Sequence, residues 1–395
     1  MASDGLTASI PPGWEKTTLG EACRRGGGDI QTGPFGSQLH ASDYVADGIP
    51  SIMPQNIGDN RVVETGVARI RPHDAARLSR YLVRPGDIVY SRRGDVEKRA
   101  LIREHEAGWL CGTGCLRIRF GKADVDPTYA SYYLGHPQVR AWITQHAHGA
   151  TMPNLNTEIL SETPFLVPPL EDQRRIGGIL GALDDKIELN RRMSQTLEGM
   201  AFAAYREFRL RSSGRVEQRL SELVALNPAR SLARGIPAPY LDMANMPTSG
   251  PAAGDFVTRA VGSGMRFMNG DTLMARITPC LENGKLAFVD FLREGEVGWG
   301  STEYIVLRPK APLPVEFAYC LVRDPAFVEF AVARMSGTSG RQRVSAVALG
   351  DYPLRVDMEA AATFARHVRP AFRRISSIAR ENRHLASVRN TLLPV

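Results

Sequence analysis

Two stretches of the chain keep apolar residues on a three-and-four spacing. The first runs Ile176, Leu180, Leu183, Ile187, Asn190, Ser194, Leu197, Ala201, Ala204, Phe208; the second runs Phe364, Val368, Ala371, Ile375, Ile378, Asn382, Leu385, Arg389, Leu392. Heptads sustained over this length are the pattern of a coiled-coil helix. Asn190, Ser194 and Asn382 fall inside the seams, where a polar residue fixes register at some cost in stability. Pro370 is expected to bend or break the first turns of the second helix, and Arg389 to weaken its seam. The two helices can bury each other's seams as a pair; the plainer alternative is that each packs on its own domain.

The rest of the chain repeats. A strand-like entry, GDIVYSRRG (86–94) or GDTLMARIT (270–278), is followed by a second β-rich segment, GTGCLRIRF (112–120) or GSTEYIVLRP (300–309). A helical stretch (127–145 or 314–334), a Gly/Ser/Thr loop and a long helix come next. A shift of 188 residues sets Gly112 on Gly300, Arg119 on Leu307 and Gly149 on Gly337, while a shift of 184 sets Pro85–Asp87 on Asn269–Asp271. Two copies of one module are the economical reading. The expected plan is therefore α+β, with repeated α/β domains at 1–170 and 210–358 and spacer helices at 171–209 and 359–395.

Composition narrows the class. No apolar run is long enough for a membrane span, and Met1 to Pro12 lacks the character of a secretory signal, so a cytoplasmic protein is expected. Five scattered cysteines argue against a disulfide framework; Cys111 and Cys115, without further ligands at zinc spacing, read as free buried thiols. The net charge of +7 is unevenly placed, residues 359–395 holding seven basic and two acidic side chains, while 1–170 is balanced at 18 and 18. Charge alone thus leaves a polyanion partner and an ordinary solvated helix face about equally open.

The run PPLEDQRRIGGILGALDDKIELNRR (168–192), the segments GWEKTTLGEAC (13–23) and GPFGSQLHASDYVADGIPSIMPQNI (33–57), and ENRHLASVRNTLLP (381–394) resemble the specificity subunits of type I restriction-modification systems. The resemblance covers nearly the whole chain. It implies two target-recognition domains separated by antiparallel helices, each domain reading half of a split double-stranded DNA site, with the helices as a ruler for the gap. At about 1.5 Å per residue, residues 171–209 would extend roughly 60 Å, more than the ~34 Å turn of the duplex. It also implies a non-catalytic subunit whose helices dock two N6-adenine methyltransferase subunits, with S-adenosylmethionine bound on those partners, and which a restriction subunit can join. Gln173, Ile176, Leu180, Asp184, Ile187, Ile375, Ile378 and Leu385 are the helix positions assigned to that docking.

The chemistry on the chain fits a reader. It carries no phosphate loop, no H-E-x-x-H pair and no Asp/Asn-Pro-Pro-aromatic motif; Asn227-Pro228-Ala229-Arg230 comes nearest and reads as a turn. Base and phosphate contacts are expected from polar residues on Gly-rich loops, where the backbone can approach a duplex. In the first module these are Ser37, Gln38, Arg92, Arg93, Lys98, Arg99, Thr151 and Asn154; in the second, Arg276, Thr278, Lys285, Ser339, Arg341 and Arg343. The alternatives are an edge-strand cluster that discourages aggregation, for the four basic residues of 92–99, and turn caps, for Ser37 and Thr151. A coiled-coil adaptor that binds proteins without reading DNA is the rival function.

Overall fold

Both seams become helices, Leu170–Arg211 and Ala361–Thr391. They belong to a computed structural model that describes residues 10–122, 124–149, 152–338 and 340–393. The chain divides into two compact units, one formed by residues up to Lys186 together with those from Leu385 onward, the other by Ile187–His384. Each long helix contributes to both units.

The first unit holds a five-stranded sheet in the order Gly27–Thr32, Cys115–Gly121, Ile88–Ser91, Arg99–Leu101, Asp59–Asn60. A four-stranded sheet has the order Tyr44–Val45, Ala68–Ile70, Ile49–Ile52, Leu110–Cys111, and Glu15–Thr18 pairs with Pro164–Val167. In the second unit the sheets run Val224–Leu226, Tyr304–Pro309, Thr272–Ala275, Leu286–Phe288 and Val257–Ala260, Pro237–Leu241, Gly298–Gly300, Met265–Phe267, with Glu217–Arg219 against Pro353–Arg355. The repeat is therefore one of topology. The stretches expected to be single helices are two each, Pro127–Tyr133 with Pro137–His146 and Phe317–Arg323 with Pro325–Ala333. Pro137 and Pro325 lack the N–H a continuing helix would need, and His136 and Asp324 cap the restart.

Hydrogen bonds give the register of the repeat more closely than the sequence does. Cys115 pairs with Ser91 as Tyr304 pairs with Ala275, which makes the offset 184 on the central strand but 189 on its neighbour. Arg119 therefore corresponds to Arg308 rather than to Leu307, and Gly112 falls one residue from Gly300; the intervening loops are longer in the second copy. Gly149 and Gly337 do correspond, both at positive φ beside matching bridges, His148 to Asn154 and Ser336 to Arg343.

The corrected register exposes a shared pin. Buried Asp87 accepts two bonds from Arg119 (2.7 and 2.5 Å) and one from the Arg84 N–H (2.8 Å). Asp271 likewise accepts from Arg308 (3.1 Å) and the Met268 N–H (2.8 Å), and adds Arg230 (2.6 Å). The residue before each aspartate, Gly86 or Gly270, has φ near 86° or 85°, conformations open to glycine. Arg230 of the NPAR turn is thus a structural cation.

Within the second unit the long helices run antiparallel in register. Phe208 stacks on Phe364 with centroids 5.0 Å apart, and Asn190 donates to Asn382 at 2.8 Å. Tyr205 and Phe372, outside the predicted seam, are buried with it, because an apolar stripe on a 3.6-residue helix is wider than a strict heptad line. Within the first unit, Asp184 takes the Arg389 guanidinium (2.7 Å) and the Tyr132 hydroxyl (2.6 Å). Arg389 therefore fastens its helix end, against the expectation that it weakens it. The second helix also runs unbroken through Pro370, its apolar face from Phe364 to Ile378 buried on both sides of the proline. Leu392 departs from the seam and is half exposed.

The asparagine pair sets a test. Replacing Asn190 alone by leucine strands the buried end of its partner amide and is expected to cost about 1–3 kcal/mol. Replacing Asn382 by leucine as well is expected to recover most of that in urea denaturation.

Candidate nucleic-acid interface

The loops after the central strands meet the same partners in both modules. The Arg92 N–H donates to the Gly114 carbonyl and the Arg92 carbonyl accepts from Leu155; Arg276 does the same with Glu303 and Val344. Each arginine is half-buried, and its Nε is enclosed without a hydrogen-bond partner. One side chain recurs at one corner of the repeat, held by its backbone with a donor unspent. An enclosed donor without a partner costs free energy unless something else meets it.

Around Arg92 the surface has both polar and apolar character. The guanidinium lies 5.8 Å from the centroid of Phe35, which is 53% exposed, and Met152 is 63% exposed. Arg93 and Ser37 are exposed, and Asn154 bridges Arg93 with its Oδ1 enclosed and unpartnered. Gln38 is engaged internally, accepting from the Phe35 N–H (3.2 Å) and the Tyr81 hydroxyl (2.8 Å), which braces the loop. Lys98 is exposed and paired with Asp95, whereas Arg99 is 6% exposed and donates to the Ser131 carbonyl. The exposed Phe35 was missed from the sequence; its signal is an aromatic between Pro34 and Gly36, with no heptad or strand to bury it.

In the second module Arg343 grips Glu303 with both ends of its guanidinium (2.8–3.0 Å), which holds the Glu303 carboxyl below its ordinary range. Thr278 donates to Glu282 (3.0 Å), Lys285 to the Met243 carbonyl (2.5 Å), and Arg341 is exposed. Arg276, Thr278 and Arg343 share one loop cluster, since Thr278 bonds Gln342 and Ile277 bridges Arg343. Thr151 and Ser339 lie outside the described residues.

The helix positions assigned to docking face their own chain. Gln173 is fully buried, accepting from the Asp126 N–H and donating to the Asp124 and Pro168 carbonyls. Leu180, Ile375 and Ile378 are buried, Ile176, Ile187 and Leu385 half-buried, and Asp184 is committed to Arg389 and Tyr132. Outward, the first helix presents Ile179, Leu189 and Met200. Among the described residues no cluster of His, Cys, Asp and Glu could hold a metal, and no helix is long and apolar enough to cross a membrane. Cys111 and Cys115 are buried thiols, burial pushing Cys111 up to about 12.

Residues 45–199 match the family model described as the type I restriction modification DNA specificity domain. Over those residues the chain is similar to that specificity family. It is similar to the EcoEI specificity subunit of Escherichia coli, 34% identical over 22% of this chain, and to the EcoAI specificity subunit of the same organism, 39% identical over 20%. These stretches span only 15% and 13% of the relatives' own length. The crystal structure of a type I restriction-modification S subunit from M. genitalium aligns with 98% of this chain and 96% of its own at a TM-score of 0.58 and 16% identity. The full-length likeness is one of fold.

Proposed function

We propose that this chain is the non-catalytic DNA-reading subunit of a type I restriction-modification assembly. Each module reads one half of a split duplex site, and the long helices set the gap between the halves. The chief support is the equivalence of Arg92 and Arg276, the same cation presented at the same corner of two copies of one fold. An arginine can bond guanine O6 and N7 together, and a good bidentate contact discriminates by about 1–3 kcal/mol. The exposed apolar residues Ile179, Leu189 and Met200 are offered to methyltransferase subunits, which bring S-adenosylmethionine; restriction subunits join through those partners.

The test is co-expression with a methyltransferase subunit of such an assembly, followed by mapping of N6-methyladenine. A split motif with a fixed gap, absent when this chain is omitted, is expected. Arg92→Ala is expected to relax one half-site and Arg276→Ala the other, each by roughly ten-fold or more in selectivity. A stable complex that methylates nothing, with duplex binding insensitive to salt, would instead favour the protein-binding adaptor.

A further inference from the structure

Arg99 occupies a position where the second module has an apolar residue. It pairs with Tyr90 across the hairpin as Leu286 pairs with Met274, so the two are repeat-mates. Leu286 packs into the core of its unit. The fold thus accepts an aliphatic side chain there, and a guanidinium buried in its place loses hydration that the architecture does not require it to lose.

Arg99 has little internal compensation. Its Nε donates to the Ser131 carbonyl (2.5 Å), while its terminal nitrogens have no hydrogen bond or ion pair among the described residues. Burial pulls its pKa down, against the opposing pulls of Tyr90 and then Asp59. In the second module a guanidinium comes instead from Arg323, at the position equivalent to Gly135. It spends its donors on the Tyr319 hydroxyl and the carbonyls of Thr248, Gly284 and Gly250. Gly135 in turn makes room for Arg99, since a Cβ there would sit 1.9 Å from its Nη2.

Arg99 lines an open cleft of about 600 Å³, together with Asn60, Tyr132, Arg140 and Asn390. The other cations around it carry their own acids: Arg140 has Glu97 (2.6 Å), Lys98 has Asp95 (2.6 Å), and Arg389 has Asp184 and Asp59 (2.7 and 3.0 Å). Of these four cations Arg99 is the one without an ion pair among the described residues.

We infer that this cleft of the first module binds an oxyanion of phosphate size on the free end of Arg99, a contact the second module lacks. A guanidinium fork suits phosphate geometry, and desolvation strengthens the pair. A DNA phosphodiester and free phosphate share this chemistry.

The experiment follows thermal unfolding of the full chain in rising inorganic phosphate, against sodium chloride at matched ionic strength. A ligand that binds only the folded state raises the melting temperature with saturation. The wild type is expected to show that rise, Arg99→Leu to lose it while still folding, and Arg99→Lys to keep part of it. An equal rise in Arg99→Leu, or none beyond chloride in the wild type, would overturn the inference. Should Arg99→Leu not fold, Arg99→Met, which keeps the length of the stem without the charge, carries the same decision. The salt dependence of duplex binding then separates the sources. A slope lower by about 0.9 in Arg99→Leu identifies a DNA phosphate, and an unchanged slope with the phosphate effect lost identifies the free ion. The phosphate arm stands whether or not the chain reads DNA.

Discussion

Asp271→Asn is expected to destabilise the second module by about 3 kcal/mol, because it leaves two guanidiniums around a carboxylate site that no longer carries charge. Asp271 is fully buried and receives Arg230, Arg308 and a backbone N–H at once. Asn keeps one carbonyl acceptor but adds an NH₂ that faces donors. The same change at Asp87, which meets one arginine, is expected to cost less. Denaturation should be followed with a probe in each unit, since the two need not unfold together. A loss below about 1 kcal/mol for Asp271→Asn would mean that the pin is dispensable.

The second large effect concerns the helix pair. Asn190 meets Asn382, and Phe208 meets Phe364, so each helix advances 18 residues between those contacts. Deleting four residues from within Ile187–Leu197 alone shifts one helix by about 6 Å against the other and separates the asparagines, with loss of methylation expected. A matching four-residue deletion between Ile375 and Leu385 restores the register. The doubly deleted protein is expected to fold and, under the proposed function, to methylate a site whose gap is shorter by about two base pairs while both half-sites stay the same. Recovery of folding with the original gap would remove the helices from that role.

Much of this plan was legible in the sequence because it rests on periodicity. The heptads located both helices, and Gly149 with Gly337 marked the repeat. The offset itself was not legible: four different values hold along the repeat, and a single shift cannot follow loops that change length. Arg119 was therefore set against Leu307, hiding the Arg–Asp pin. Site residues were harder still. Nothing in the letters distinguishes Arg92, held by its backbone at an open corner, from Arg99 seven residues on, which crosses the hairpin and is buried. Gln38 and Arg343 have the residue types of base readers, yet both are engaged within the fold. Arg389 looked like a flaw in a seam because its acids, Asp59 and Asp184, are far away in sequence.

The pin and the corner arginine stand at opposite ends of one short strand, Asp87 before Ile88–Ser91 and Arg92 after it, and Asp271 and Arg276 flank Thr272–Ala275 in the same way. What keeps the module folded and what faces outward are thus about 15 Å apart along a rigid rod. A lineage can rewrite the outward end without disturbing the inward one. Mutational drift in such a protein would change its vocabulary long before it damaged its grammar.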